Sequence, residues 1–121
     1  MLKLMIVDDS NIIRSKIRRS HDSERYTLVA SATNGAEAVD MFKTNMPDVV
    51  TMDLTMPEMD GLDCISKITA IKPDVLILVV SALSDKATGI EALERGAQGF
   101  LLKPFTEEQL GEALNELTRN V

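Results

Sequence analysis

The sequence predicts an α/β fold, a five-stranded parallel sheet that is doubly wound as a (βα)5 sandwich. The first observation behind this prediction is that short apolar runs alternate with segments of helical periodicity along the whole chain. The second is the run from Val75 to Val80, which is apolar without alternation and therefore suits a strand covered on both faces. The third is that turn-forming pairs such as Asn34-Gly35 and Met46-Pro47 stand between the segments.

The predicted strands and helices follow one another in strict order. Strands are expected at 2–7, 26–32, 48–53, 75–81 and 98–103. The helices between and after them are marked by apolar residues at helical spacing, namely Ile13 and Ile17, then Ala38, Val39 and Phe42, then Leu62, Ile65 and Ile68, then Ile90 and Leu93, and finally Leu110, Ala113, Leu114, Leu117 and Val121. Thr106 opens a capping box that begins the last helix.

Length and composition indicate one acidic domain over residues 1–121. A chain of 121 residues suits one ordinary domain, and no linker or output domain is visible. Cys64 is the only cysteine, so an internal disulfide is excluded and a reducing cytoplasm is the simplest location. The net charge of -6 and the absence of a DNA-reading motif argue against a nucleic-acid partner. The apolar run at 2–7 is too short to span a membrane.

Acidic residues stand at the carboxyl ends of two of the predicted strands, at the edge where doubly wound sheets bind ligands. Asp8 and Asp9 follow the first strand, and Asp53 ends the third. Two adjacent acids exceed what a helix cap requires, and Asp60 is a better cap than Asp53 for the third helix. Two carboxylates about 4 Å apart repel by roughly 4 kcal/mol at an effective dielectric of about 20. A cation is therefore expected, and Mg²⁺ suits a site of carboxylates, water and phosphate oxygens.

Polar residues also end the fourth and fifth predicted strands. Lys103 alone would be interpreted as a surface lysine, but an ammonium at this edge can pair with a carboxylate and bind a phosphate oxygen. Its bond to Pro104 is a candidate for cis geometry. The hydroxyl of Ser81 is expected to be free, because Ser84 is better placed to cap the fourth helix. With Asp53 as nucleophile, these groups suit phosphoryl transfer to a carboxylate.

Four segments of the sequence resemble the receiver domain of two-component response regulators. They are VDDS at 7–10, MDLTMPEMDG at 52–61, SA at 81–82 and KPF at 103–105. The resemblance spans the chain and implies the flavodoxin-like or CheY-like strand order 2-1-3-4-5. In that order the third strand lies beside the first, which would bring Asp53 close to Asp8 and Asp9.

The resemblance implies a role for each acidic site residue. Asp53 is the expected phosphoacceptor, which becomes an aspartyl phosphate, and it also contributes to the metal site. Asp9 matches the direct Mg²⁺ ligand, and Asp8 matches the acid that holds metal-bound water. Thr55 matches the residue that lends a backbone carbonyl to the metal.

The resemblance also implies the residues that respond to phosphorylation. Lys103 matches the lysine that binds phosphoryl oxygens. Ser81 matches the switch hydroxyl that moves toward the phosphoryl group, and Phe100 matches the aromatic side chain that turns inward behind it. Leu83 departs from members that carry an acid or amide at this position, which leaves the dephosphorylation rate open.

The function implied is that of a cytoplasmic, monomeric, single-domain response regulator. It is not expected to be an enzyme, because it would catalyse only its own phosphorylation and dephosphorylation. The phosphodonor would be a histidine kinase or a phosphotransfer protein. Without an output domain the output must be a protein contact, for which a chemotaxis role at a flagellar motor switch is the first choice. A phosphorelay shuttle or a phosphate sink is the alternative.

The sequence bears on three alternative interpretations, of which it supports one equally well and disfavours two. The first helix is basic through Arg14, Lys16, Arg18 and Arg19, and this face is either simply solvated or meets the phosphodonor. A metal-dependent aspartyl phosphatase would be expected to carry an Asp-x-Asp pattern, whereas adjacent acids point in different directions. A flavin-binding electron carrier would be expected to carry Ser, Thr and Gly in the first loop instead of two acids.

Overall fold

The computed structural model describes residues 1–54, 56, 59–82 and 86–121. These residues form one five-stranded parallel sheet with the strand order β2-β1-β3-β4-β5. The strands are β1 (Leu2–Val7), β2 (Tyr26–Ala32), β3 (Val49–Met52), β4 (Leu76–Ser81) and β5 (Gly99–Leu102). The helices are α1 (Asn11–Ser20), α2 (Gly35–Asn45), α3 (Gly61–Ile71), α4 (Lys86–Arg95) and α5 (Glu107–Leu117). The predicted fold class and strand order are confirmed.

Two apolar clusters cover the two faces of the sheet. Successive residues of a strand point to opposite faces, so Met5 and Val7 of β1 enter the cluster beneath α2, α3 and α4. Leu4 and Ile6 enter the second cluster, beneath α1 and α5. Because both faces are covered, the central strands have no polar face, which explains the unbroken apolar run at 75–80.

Most helix starts follow from a capping side chain. Among the described residues, four side-chain oxygens accept a hydrogen bond from the backbone N–H three residues on: those of Ser10, Asn34, Asp60 and Thr106. The predicted Asp60 cap and the capping box of α5 are therefore confirmed. Ser10 caps α1, so Asp9 is not needed as its cap. Within the described part of the chain, no helix is long and apolar enough to cross a membrane.

The buried face of α4 differs from the one that its apolar spacing predicted. Ile90 and Leu93 were expected to face the core, but they are 57% and 47% exposed. The buried face instead runs through Gly89 and Ala92. A Cβ built at Gly89 would lie 3.2 Å from Cε2 of Phe100, so α4 approaches the sheet with its smallest residues. The predicted marker Val121 also lies beyond α5, and its side chain is 70% exposed.

The chain after β3 returns close to its own backbone, and a glycine makes this possible. A Cβ built at Gly61 would lie 2.6 Å from Cα of Leu54 and would also collide with the carbonyl oxygen of Asp53. The N–H of Gly61 donates to the carbonyl of Leu54 at 3.0 Å. Position 61 therefore has no room for a side chain, and α3 begins directly against the end of β3.

Asp48 connects three segments at the amino-terminal edge of the sheet. Its carboxylate accepts a hydrogen bond from the backbone N–H of Lys3 at 2.8 Å and forms an ion pair with Nζ of Lys72 at 3.0 Å. Burial alone would raise the pKa of Asp48, but the hydrogen bonds from Lys3 and Lys72 and their positive charges outweigh it. The pKa of Asp48 is consequently below its ordinary value.

Candidate metal centre

The register of the sheet places the ends of β1 and β3 side by side. Val7 pairs with Met52, so the residues that follow, Asp8 and Asp53, emerge next to each other at the carboxyl edge. The N–H of Asp53 donates to the carbonyl of Val7 at 2.9 Å, and the N–H of Asp8 donates to Ala32 at 3.1 Å. The backbone of both acids is thus held by hydrogen bonds that continue the sheet.

Three carboxylates come together at this edge. Asp8, Asp9 and Asp53 each place a carboxylate oxygen within 4.8 Å of the other two. Asp8 is 1% exposed and Asp53 is 4% exposed, whereas Asp9 is open to solvent. The cluster therefore has a buried side formed by two acids and an open side formed by the third.

Lys103 brings one positive charge to the cluster. Its Nζ lies 2.9 Å from Oδ2 of Asp8 and 3.8 Å from Oδ2 of Asp53. The N–H of Lys103 donates to the carbonyl of Ser81 at 2.9 Å, which joins the chain after β5 to the end of β4. Three carboxylates and one ammonium leave two negative charges uncompensated among these four groups.

The donor set fits a hard divalent cation. Oδ1 of Asp8 accepts a hydrogen bond from the N–H of Ser10 at 2.8 Å. Its Oδ2 is fully buried and, apart from the ion pair with Lys103, receives no hydrogen bond from the described residues. Oxygen ligands from carboxylates, with one side open to water, are what Mg²⁺ prefers. Asp8, Asp9 and Asp53 are thus the residues that would hold such an ion.

Ser81 lies beside this cluster at the end of β4, and Phe100 lies on the neighbouring strand β5. Ser81 ends β4, is 7% exposed, and pairs with Leu102 of β5. Phe100 pairs with Val79, and its half-buried ring packs against Gly89 of α4. The two residues proposed as a switch therefore lie on adjacent strands, one at the site and one beneath α4.

The remaining predicted residues are either outside the site or outside the described residues. Thr55, Leu83 and Ser84 lie outside the described residues. The peptide bond between Lys103 and Pro104 is cis. Cys64 is buried in α3, where burial and, to a smaller extent, the nearby Asp60 carboxylate raise the pKa of its thiol to about 12.

Two further residues contact the chain segments that carry Asp8 and Lys103, although the sequence indicated only that they form part of a basic surface. Nη1 of Arg14 donates to the carbonyl of Asp8 at 2.7 Å. Nζ of Lys16 donates to the carbonyl of Phe105 and lies 4.6 Å from the centroid of its ring. One signal was present in the sequence. Lys16 follows Ile13 by three residues and therefore shares the inward face of α1.

Known proteins are similar to this chain in sequence and architecture. The family model described as the response regulator receiver domain matches residues 4–115. The chemotaxis protein CheY of Thermotoga maritima is 42% identical over 117 residues, which cover 97% of this chain and 98% of that protein. CheY of Listeria monocytogenes is 39% identical over 119 residues, which cover 98% of this chain and 100% of that protein.

Solved structures give the same result for the fold. A chain in the crystal structure of the CheX-CheY-BeF3-Mg²⁺ complex from Borrelia burgdorferi superposes with a TM-score of 0.90 at 30% identity, covering 96% of this chain and 88% of that one. The REC domain of AraT, a response regulator from Geobacillus stearothermophilus, has a TM-score of 0.91 at 31% identity, covering 98% of this chain and 93% of that one.

Proposed function

Because this chain belongs to the response regulator receiver domain family, we propose that it accepts a phosphoryl group on the carboxylate of Asp53 in a Mg²⁺-dependent reaction. The observation that carries the proposal is the cluster of Asp8, Asp9 and Asp53 with the ammonium of Lys103 against it. An isolated pair of acids would suit many functions. Acids that surround a nucleophile, with a fixed cation on one side, suit phosphoryl transfer.

Each group has a defined task in the proposed reaction. An oxygen of Asp53 attacks the phosphorus, and the bond to the donor breaks as the leaving group departs with its electron pair. A bound Mg²⁺ would neutralise negative charge on the acids and on the phosphoryl oxygens. Lys103, whose Nζ is already 3.8 Å from Asp53, would pair with a transferred phosphoryl oxygen. Asp9 and Asp8 would hold the metal or its water.

We further propose that phosphorylation changes the surface formed by α4 and β5. The hydroxyl of Ser81 would move toward the phosphoryl group, and Phe100 would turn inward behind it. These two elements carry three exposed apolar side chains: Ile90 and Leu93 on α4, the helix that the Phe100 ring packs against, and Leu102 on β5. A movement of the Phe100 ring would therefore alter an apolar surface that is available to a protein target.

The proposed setting is cytoplasmic two-component signalling. The phosphodonor would be a histidine kinase or a phosphotransfer protein, and residues 1–121 would act as one monomeric receiver domain. The relatives from Thermotoga maritima and Listeria monocytogenes are named chemotaxis proteins, and this supports a target in chemotaxis such as a flagellar motor switch component. A pull-down with and without beryllofluoride, a phosphate mimic, would identify the target.

Intact-mass measurement after incubation with acetyl phosphate and Mg²⁺ tests the acceptor. We expect one phosphoryl adduct on the wild type and none on Asp53→Asn or in EDTA. Asp40→Asn is the matched control, because Asp40 is exposed on α2. It should be labelled like the wild type. An undiminished adduct on Asp53→Asn would overturn the assignment, and continuous phosphate release from varied monoesters would instead favour a phosphatase.

A further inference from the structure

Lys16 holds the chain segment that follows Lys103. Phe105 stands two residues after Lys103, and its side chain is 3% exposed within the cluster beneath α1 and α5. Its carbonyl accepts a hydrogen bond from Nζ of Lys16, and the same ammonium lies 4.6 Å from the centroid of its ring. One side chain of α1 therefore contacts both the backbone and the ring of Phe105.

The contact with Phe105 is the main described interaction of the Lys16 ammonium. Among the described residues, Nζ of Lys16 forms no ion pair with a carboxylate, although the protein is acidic. No second donor to the Phe105 carbonyl is found in the same part of the chain. A half-buried cation directed at a single backbone carbonyl holds that segment in place instead of contributing surface charge.

Helix α1 also contacts the backbone of Asp8, the residue that forms the ion pair with Lys103. Nη1 of Arg14 donates to the carbonyl of Asp8 at 2.7 Å. Asp8 stands two residues before Ser10, which caps α1. Through Arg14 and Lys16, α1 contacts the two segments whose side chains meet in the 2.9 Å pair of Asp8 and Lys103. Helix α1 therefore contacts both the chain after β1 and the chain after β5, through hydrogen bonds that are not part of the sheet.

We propose that Lys16 is a positioning residue for Lys103, and that it acts by holding Phe105 in place. The inference rests on the proposed function. The side chain of Lys103 is long and flexible, so its Nζ reaches a fixed place beside Asp53 only if its backbone is fixed. A misplacement of about 1 Å in a reacting group can reduce a rate by about 10²-fold.

The test compares Lys16→Met with Lys16→Arg and with Lys43→Met, a matched control on the exposed side of α2. The readouts are the rate of adduct formation from acetyl phosphate and the Kd of Mg²⁺ measured by calorimetry without a donor. Lys16→Met should lower the rate about tenfold and change the Kd by less than about twofold, because the acids remain in place. Lys16→Arg should restore most of the rate, since a guanidinium also donates to a carbonyl and stacks on a ring.

A double-mutant cycle separates positioning from a general loss of structure. If Lys16 acts through Lys103, adding Lys16→Met to Lys103→Met should cause no further loss of rate. Additive losses, or an equal loss of Mg²⁺ affinity, would overturn the proposal. Should Lys16→Met not fold, Lys16→Gln replaces it in the same cycle. A wild type without an adduct would contradict the proposed function, whereas a labelled wild type and an equally fast Lys16→Met would contradict this inference alone.

Discussion

The ammonium of Lys103 is closer to Asp8 than to the proposed acceptor, with Nζ 2.9 Å from Oδ2 of Asp8 and 3.8 Å from Oδ2 of Asp53. The side chain of Asp8 is 1% exposed and that of Lys103 is 17% exposed, so the solvent screens their ion pair little. One positive charge is mainly engaged by one acid, and the other two carboxylates of the cluster keep an excess of negative charge. Repulsion within the metal-free site follows from this arrangement.

Removal of one of these charges should stabilise the metal-free protein. We expect Asp53→Asn in EDTA to increase the free energy of unfolding by about 1–2 kcal/mol, because the carboxylates repel one another at short range while nearby water screens part of the effect. Denaturant unfolding at pH 7 measures the difference, with Asp40→Asn as the control that should change little. A variant less stable than the wild type in EDTA would mean that the acids do not repel as one cluster.

Addition of Mg²⁺ should narrow or reverse the difference in stability between the wild type and Asp53→Asn. An ion that binds only the folded state stabilises it by about 2.7 kcal/mol at a concentration of about 100 times Kd. The wild type, with its full set of acids, should gain more than Asp53→Asn, so their difference narrows or changes sign. Unfolding measured over a Mg²⁺ series checks this, and equal gains in both proteins would exclude Asp53 from the metal site.

The ion pair of Asp48 and Lys72 predicts a pH-dependent term in stability. Since the folded pKa of Asp48 is lowered, its contribution is fully present above the unfolded pKa near 3.9 and is lost as pH falls through the folded pKa. Asp48→Asn should therefore cost about 1 kcal/mol at pH 7, and this cost should fade in acid. Unfolding at pH 7 and at lower pH measures it. A cost that is constant with pH would point to packing instead of charge.

The thiol of Cys64 should be unreactive in the folded protein. It is fully buried, and its pKa is raised to about 12 by burial, so very little thiolate exists at pH 8. Its reaction with a disulfide reagent at pH 8 should be slower by at least about a thousandfold than in denaturant. The absorbance of the released thiol gives both rates. Rates of similar size would show that α3 opens readily from the sheet.

The sequence predicted the parts of this molecule that depend on local pattern. β1 and β2 have the predicted bounds because each is a mainly apolar segment followed by a polar residue. The acids and the lysine of the site could be predicted because parallel strands bring their carboxyl ends to one edge. The cap at Asp60 was also predictable from local sequence, because a capping side chain interacts only with the first turn of the helix that follows it.

Features that depend on packing between distant elements could not be predicted in this way. The buried face of α4 was predicted wrongly because Ile90 fits an apolar stripe at helical spacing. The close approach of Gly89 to the Phe100 ring decides which side of the helix is buried. The contact of Lys16 with Phe105 joins residues far apart in the chain. The pair of Asp48 and Lys72 likewise depends on how α3 lies against the sheet edge.

The order of the chain has a consequence for biosynthesis. Asp8, Asp9 and Asp53 are translated well before Lys103, which follows the last strand. A nascent chain that has emerged only through α3 contains the whole acidic cluster without its ammonium, and β3 then lacks its β4 neighbour and exposes an unpaired edge. Lys16 has no Phe105 to hold at this stage. Ribosome-bound chains of this length should therefore be the species that most need a chaperone, and emergence of β5 should release that need.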